Sequence, residues 1–146
     1  MKTLNLRRKA RLFFIKLARA RDSVHEIALG AAIGTFISVF PTFGFGTLLV
    51  LLLYRFMKFN LVAALAMSVV SNPFTSPFFM VFSFKIGSLI LGSTVEFNLN
   101  NWKDNLGKTG IILLWGSLAV SGVMALLAYF MTKFIVTKYR NKKSVK

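Results

Sequence analysis

The 146-residue chain has no cysteine, so disulfides and thiolate metal centres are excluded. It has four acidic residues and one histidine, His25, which leaves little material for acid–base catalysis or carboxylate metal sites. Between Ile27 and Val95 there is no Asp, Glu or His at all, which argues against proton coupling through an apolar interior. Proline occurs only three times, at Pro41, Pro73 and Pro77, and all three fall inside long apolar runs. A regular helix cannot continue through such positions, because proline lacks the N–H and clashes with the preceding turn. No cleavable signal is apparent, since the first long apolar run begins only at Ile27.

What is abundant is apolar surface and positive charge. Apolar residues make up 55% of the chain, yet its formal charge is +15. The charge sits at the ends: residues 1–21 hold eight Lys/Arg and residues 133–146 hold six, together 14 of 19, with no acid in either stretch. A basic nucleic-acid-binding protein distributes charge over a recognition surface and carries a binding motif. Neither feature is present, and no nucleic-acid partner is expected. Basic ends around an uncharged middle are the pattern of a multi-pass membrane protein with both termini cytoplasmic.

Taken in order, residues 1–21 predict a basic amphipathic helix at the membrane surface. Leu6, Ala10, Phe13, Leu17 and Ala20 recur at helical spacing. Arg7, Arg8, Lys9, Arg11, Lys16, Arg19 and Arg21 are the candidate contacts to anionic lipid. Ser23 and Glu26 have the spacing of a capping box, which also accounts for the acids beside His25 without a metal. From Ile27 to Tyr54 there are 28 uncharged residues, broken at Phe40-Pro41-Thr42-Phe43-Gly44-Phe45-Gly46. The reading is two half-helices joined by a glycine-rich turn. Gly30, Gly34 and Ser38 fall on one face in the spacing that lets helices approach closely, and a homo-oligomer packed through them is expected.

A second interrupted segment runs from Phe59 to Gly92, with its break at Ser71-Asn72-Pro73-Phe74-Thr75-Ser76-Pro77. Freed backbone groups at membrane depth need protein or trapped-water partners. The polar residues around the two breaks are therefore the candidate ligand or structural site: Pro41, Thr42, Gly44, Ser68, Ser71, Asn72, Pro73, Thr75 and Ser76, with Lys85 as the one charge nearby. Asn72 is expected to face inward and bond the freed groups. Lys85 lies seven residues from Gly92, within snorkelling reach of the interface. Two interrupted apolar segments in corresponding places are a pattern that marks binding sites in transporters.

Residues 93–109 read as a polar external loop, 110–132 as one continuous transmembrane helix, and 133–146 as a mobile basic cytoplasmic tail. The topology expected is a re-entrant hairpin over 27–54, a broken crossing over 59–92 and a return over 110–132; the alternative has 27–54 crossing and 59–92 re-entrant from outside. The fold class is thus an all-α integral membrane protein: an amphipathic helix, two Pro/Gly-interrupted helical segments and one continuous span.

The stretch Glu26 to Phe36 with its Gly30-xxx-Gly34, then Phe40-Pro41 with Gly44, then Ser71-Asn72-Pro73-Phe74-Thr75, then Gly87-Ser88 and Leu91-Gly92, resembles a family of bacterial membrane proteins catalogued as domain of unknown function 2062. The resemblance covers residues 22–92. Members often carry Ser-Pro where this chain has Ser23-Val24. It implies the bacterial cytoplasmic (inner) membrane. Since some relatives are joined to glycosyltransferase-like domains, it also implies a partner in envelope biosynthesis. It supplies no catalytic residue or cofactor. The function expected is non-enzymatic binding or transport of a small solute or lipid between the interrupted helices. The alternative is a membrane scaffold or anchor whose basic ends bind anionic lipid or a cytosolic partner.

Overall fold

The computed structural model describes residues 22–42, 45–68, 76–93 and 106–144. These residues form five α-helices and contain no strand: α1 (Val24–Val39), α2 (Gly46–Phe56), α3 (Leu61–Ser68), α4 (Ser76–Leu91) and α5 (Leu106–Ser144). The expected amphipathic helix over 1–21 lies outside the described residues.

Each boundary has a local cause. Ser23 Oγ accepts from the Glu26 backbone N–H at 3.1 Å, and the Ser23 N–H donates to Glu26 Oε2 at 2.7 Å, completing the capping box that starts α1. The helix stops at Phe40, which is held extended (φ −67°, ψ 138°) as the residue before Pro41. Thr42 N–H donates to the Phe40 carbonyl at 2.7 Å, and Phe45 N–H to that of Thr42 at 2.9 Å. Gly46 then opens α2, where a Cβ would crowd Thr42 Oγ1 and Ile37 Cγ2 at 3.1 and 3.2 Å. Pro77 falls in the first turn of α4, where its missing N–H costs no hydrogen bond. The end of α4 is a left-handed Gly92 (φ 58°), with the Ser93 N–H reaching back to the Ser88 carbonyl at 3.0 Å.

The chain reverses within its first two helices. The backbone N–H of Asn60, beyond α2, donates to the Glu26 carbonyl in the first turn of α1 at 2.9 Å. Residues 24–56 are therefore a helical hairpin whose two ends lie together. From Asn60, α3 sets out again parallel to α1: Asn60 and Ala63 meet Gly30, and Ala64 meets Gly34. A Cβ on Gly34 would stand 2.9 Å from Ala64 Cα and collide with its carbonyl. The small face that the sequence suggests for self-association is thus filled by the chain's own α3. Gly30 and Gly34 therefore have a close-packing partner within the chain itself.

The helix α5 is the spine. Its first half receives α4 in antiparallel contact, with Gly87 against Ile112 and Gly116 against Ser83, so close that a Cβ on either glycine would strike the other helix's backbone. Its second half receives α1, with Ile27 packed on Val136 and the Asp22 carbonyl on Arg140. The start of α1, the start of α3 and the C-terminal half of α5 therefore share one end of the molecule. The end of α4 and the start of α5 share the other. Three small apolar clusters fill the contacts: Ile27, Ala63 and Val136; Ile37, Val50, Phe59 and Ala64; and Phe84, Ile112 and Leu113.

Both boundaries of α5 differ from expectation: it begins at Leu106, within the stretch expected as a polar loop, and it runs past residue 132. The basic residues after 132, expected as a separate mobile tail, continue α5 as one helix to Ser144. After Gly122 that helix contains no glycine or proline. Ala, Leu, Met, Lys and Arg, which favour the helix, make up much of that stretch, so nothing local terminates it.

Gly34→Leu should lower stability by about 1–3 kcal/mol or more by forcing α1 from α3, with no change in oligomeric state. Gly122→Ala, where a Cβ meets nothing within 4 Å, should be neutral or stabilising by about 1 kcal/mol. Thermal unfolding and mass measurement of both variants in detergent check this pair.

Candidate functional site

Among the described residues, the polar side chains that the structure gathers centre on Asn60. Asn60 is 5% exposed and uses both ends of its amide. Its Oδ1 accepts from the Ala63 N–H at 2.6 Å and so caps α3. Its Nδ2 donates to the carboxylate of Asp22. The Asp22 backbone carbonyl in turn accepts from Arg140 Nη2 at 2.7 Å. Beside this chain of bonds, His25 Nδ1 and the Tyr129 hydroxyl share a hydrogen bond of 2.8 Å, and Lys133 Nζ stands 5.8 Å from the centre of the Tyr129 ring. Asn60 and Arg140 thus tie three helices together at the end where the chain reverses.

Electrostatics follow from the same geometry. The Glu26 carboxyl is held below its ordinary value, first by the backbone N–H of Ser23, then by the Ser23 side chain, with smaller help from Lys58 and His25. Each of Asp22, His25 and Glu26 has a partner: Glu26 closes the cap, Asp22 takes the Asn60 amide and His25 meets Tyr129.

Among the residues expected to form a site, Pro41 and Thr42 are half-buried in the α1–α2 turn. Ser68 Oγ is spent on its own helix, donating to the Leu65 carbonyl at 2.9 Å. Ser38, buried, does the same to Thr35 at 2.9 Å. Lys85 is exposed on α4. Gly44, Ser71, Asn72, Pro73 and Thr75, and the side chain of Ser76, lie outside the described residues, as do Arg7, Arg8, Lys9, Arg11, Lys16, Arg19 and Arg21. The structure brings Pro41 and Thr42 to the end of α1, and Ser68 to the end of the parallel α3.

Asn60 is the residue that sequence reading missed. Its signal was present: an asparagine immediately before an apolar helical run is a cap in waiting. Gly116, the partner of Gly87, was likewise missed, because one glycine within an apolar run has no pattern of its own.

A family model described as an uncharacterised protein conserved in bacteria (DUF2062) matches residues 7–144. The chain belongs to this family, and the match extends well beyond residues 22–92 to take in α5. No curated protein and no solved structure matches the chain.

Asn60→Ala removes a cap and leaves the Asp22 carboxylate and the Ala63 N–H short of partners. It should cost about 1–3 kcal/mol in thermal unfolding. The contribution of Glu26 has a definite sign. Its lowered pKa makes the cap's stabilisation complete above the ordinary glutamate value and lost as pH falls through the folded value. Unfolding temperatures should therefore drop on the acid side, and Glu26→Gln should flatten that part of the profile.

Proposed function

We infer that the protein is an integral protein of the bacterial cytoplasmic membrane. It acts without covalent chemistry, holding a small solute or lipid where its two interrupted segments break. One observation carries the membrane reading: the outside of the molecule is apolar. On α5 alone, Ile111, Leu114, Trp115, Leu118, Val123, Leu126, Leu127, Phe130 and Met131 are exposed. Only 33% of the apolar span of α5 is buried within the molecule, so it does not serve as the core of a water-soluble bundle. Phe56 and Leu89, each 78% exposed, extend this surface to α2 and α4. A continuous apolar exterior of this size is unfavourable in water and favourable in hydrocarbon.

Charge supports an orientation. Arg55, Lys58, Lys133, Lys138, Arg140 and Lys142 belong to the end where Asn60 meets Glu26, whereas Lys108 belongs to the other. An excess of Lys/Arg at one end favours the cytoplasmic side. On this reading α1–α2 is re-entrant, α3–α4 crosses outward and α5 returns. Support for the ligand site comes from α1 and α3, which pack closely at Gly30 and Gly34 and run in the same direction, each toward the break that follows it in the sequence.

A second reading, a membrane anchor, is favoured by α5 itself. Past its uncharged run the helix continues from Lys133 to Ser144, about 18 Å of basic helix available to a cytosolic partner. Purification in native lipid particles with mass spectrometry of bound species separates the two: a stoichiometric solute or lipid supports the first, a stoichiometric protein the second.

Topology is directly testable because the chain has no native thiol. In intact cells, an impermeant thiol reagent added outside should label Lys108→Cys and spare Phe56→Cys and Lys142→Cys. Labelling of Phe56→Cys together with Lys108→Cys would make the α1–α2 segment a full crossing and reject this arrangement.

A further inference from the structure

We propose that His25, Tyr129 and Lys133 form a binding site for the phosphodiester headgroup of an anionic phospholipid, a proposal that rests on the membrane reading above. Lys133 is the first charge on α5 after 24 uncharged residues, Thr109 to Thr132. That step from uncharged to charged marks the depth at which an embedded helix meets the headgroup layer. One turn earlier on the same face is Tyr129, whose ring Lys133 overlies at 5.8 Å. From the neighbouring helix, His25 Nδ1 meets the Tyr129 hydroxyl at 2.8 Å, and its ring stands edge-on to the tyrosine with centroids 5.8 Å apart. An ammonium, an imidazole and a phenol from two helices thus converge on one exposed spot.

The surroundings select a lipid. Phe130 and Phe134, 63% and 67% exposed, form the adjacent stripe on α5 and offer an apolar wall along which acyl chains can lie. Among the described residues both carboxylates already have partners: Glu26 accepts from the Ser23 N–H and Asp22 from the Asn60 amide. The charge of Lys133 is therefore available to a phosphate. The His25–Tyr129 bond fixes the two rings, so the site is ordered before the lipid arrives, which lowers the ordering cost of binding.

The test uses the full chain in detergent, with native mass spectrometry against phosphatidylglycerol and phosphatidylcholine. Phosphatidylglycerol should be retained preferentially. Lys133→Gln should reduce its retention about fivefold, as expected for one lysine at an anionic surface. His25→Ala should also reduce it. Lys142→Gln, on the same helix but well beyond the interface, should leave it unchanged. Equal loss in Lys142→Gln, or no loss in Lys133→Gln and His25→Ala, overturns the site in favour of diffuse charge. Displacement of the bound lipid by excess glycerol phosphate overturns the lipid as occupant. Alkaline extraction of cell membranes keeps the two levels apart. If the wild type is extracted, the membrane reading fails. If it is retained while the lipid results go against expectation, only this site fails.

Discussion

The hydrogen bond from the Asn60 backbone to the Glu26 carbonyl is the constraint on which the rest depends. It returns the chain to the start of α1 after the α1–α2 hairpin. From there the Asn60 side chain starts α3, and the glycines of α1 let α3 lie along it with backbone almost touching backbone. Because α3 begins at that end, the segment ending at α4 must finish at the opposite one, and α5 must come back. The direction of every later helix follows from where residue 60 is pinned.

The molecule is held together by close backbone approach and a few buried polar bonds more than by a large apolar core. Its apolar clusters are small and separate, while many large apolar side chains, Phe56, Phe78, Phe130 and Phe134 among them, point outward. On the proposed membrane reading, that inversion is how helices associate when lipid tails compete equally for apolar side chains. Small residues permit close packing, and polar groups satisfied within the protein give the contacts their specificity. Gly34 on Ala64 and Gly116 on Ser83 serve the first purpose, and Asn60 with Asp22 the second.

Much of the fold was legible because its signals are local. Ser23 and Glu26 announced the start of α1, Pro41 its end, and Gly46 the turn, since each acts through bonds within a few residues. Uncharged run lengths marked α5, and the missing glycine and proline after Gly122 could have shown that it would not stop at residue 132. The small face of Gly30 and Gly34 was also legible as a close-packing surface. What could not be read was its partner. Spacing on one helix says that something must approach and does not say whether it is α3 or another molecule.

The sequence by itself determined where helices begin and break, which segments shun water, and the family to which the chain belongs, because these depend on neighbours in sequence and on composition. Only the tertiary structure decided that Asn60 and Arg140 meet around Asp22, that His25 meets Tyr129 across 104 positions, and that Gly87 meets Gly116. Those pairings arise from the direction in which each helix leaves its turn, and that direction is set by long-range contacts that no local pattern encodes.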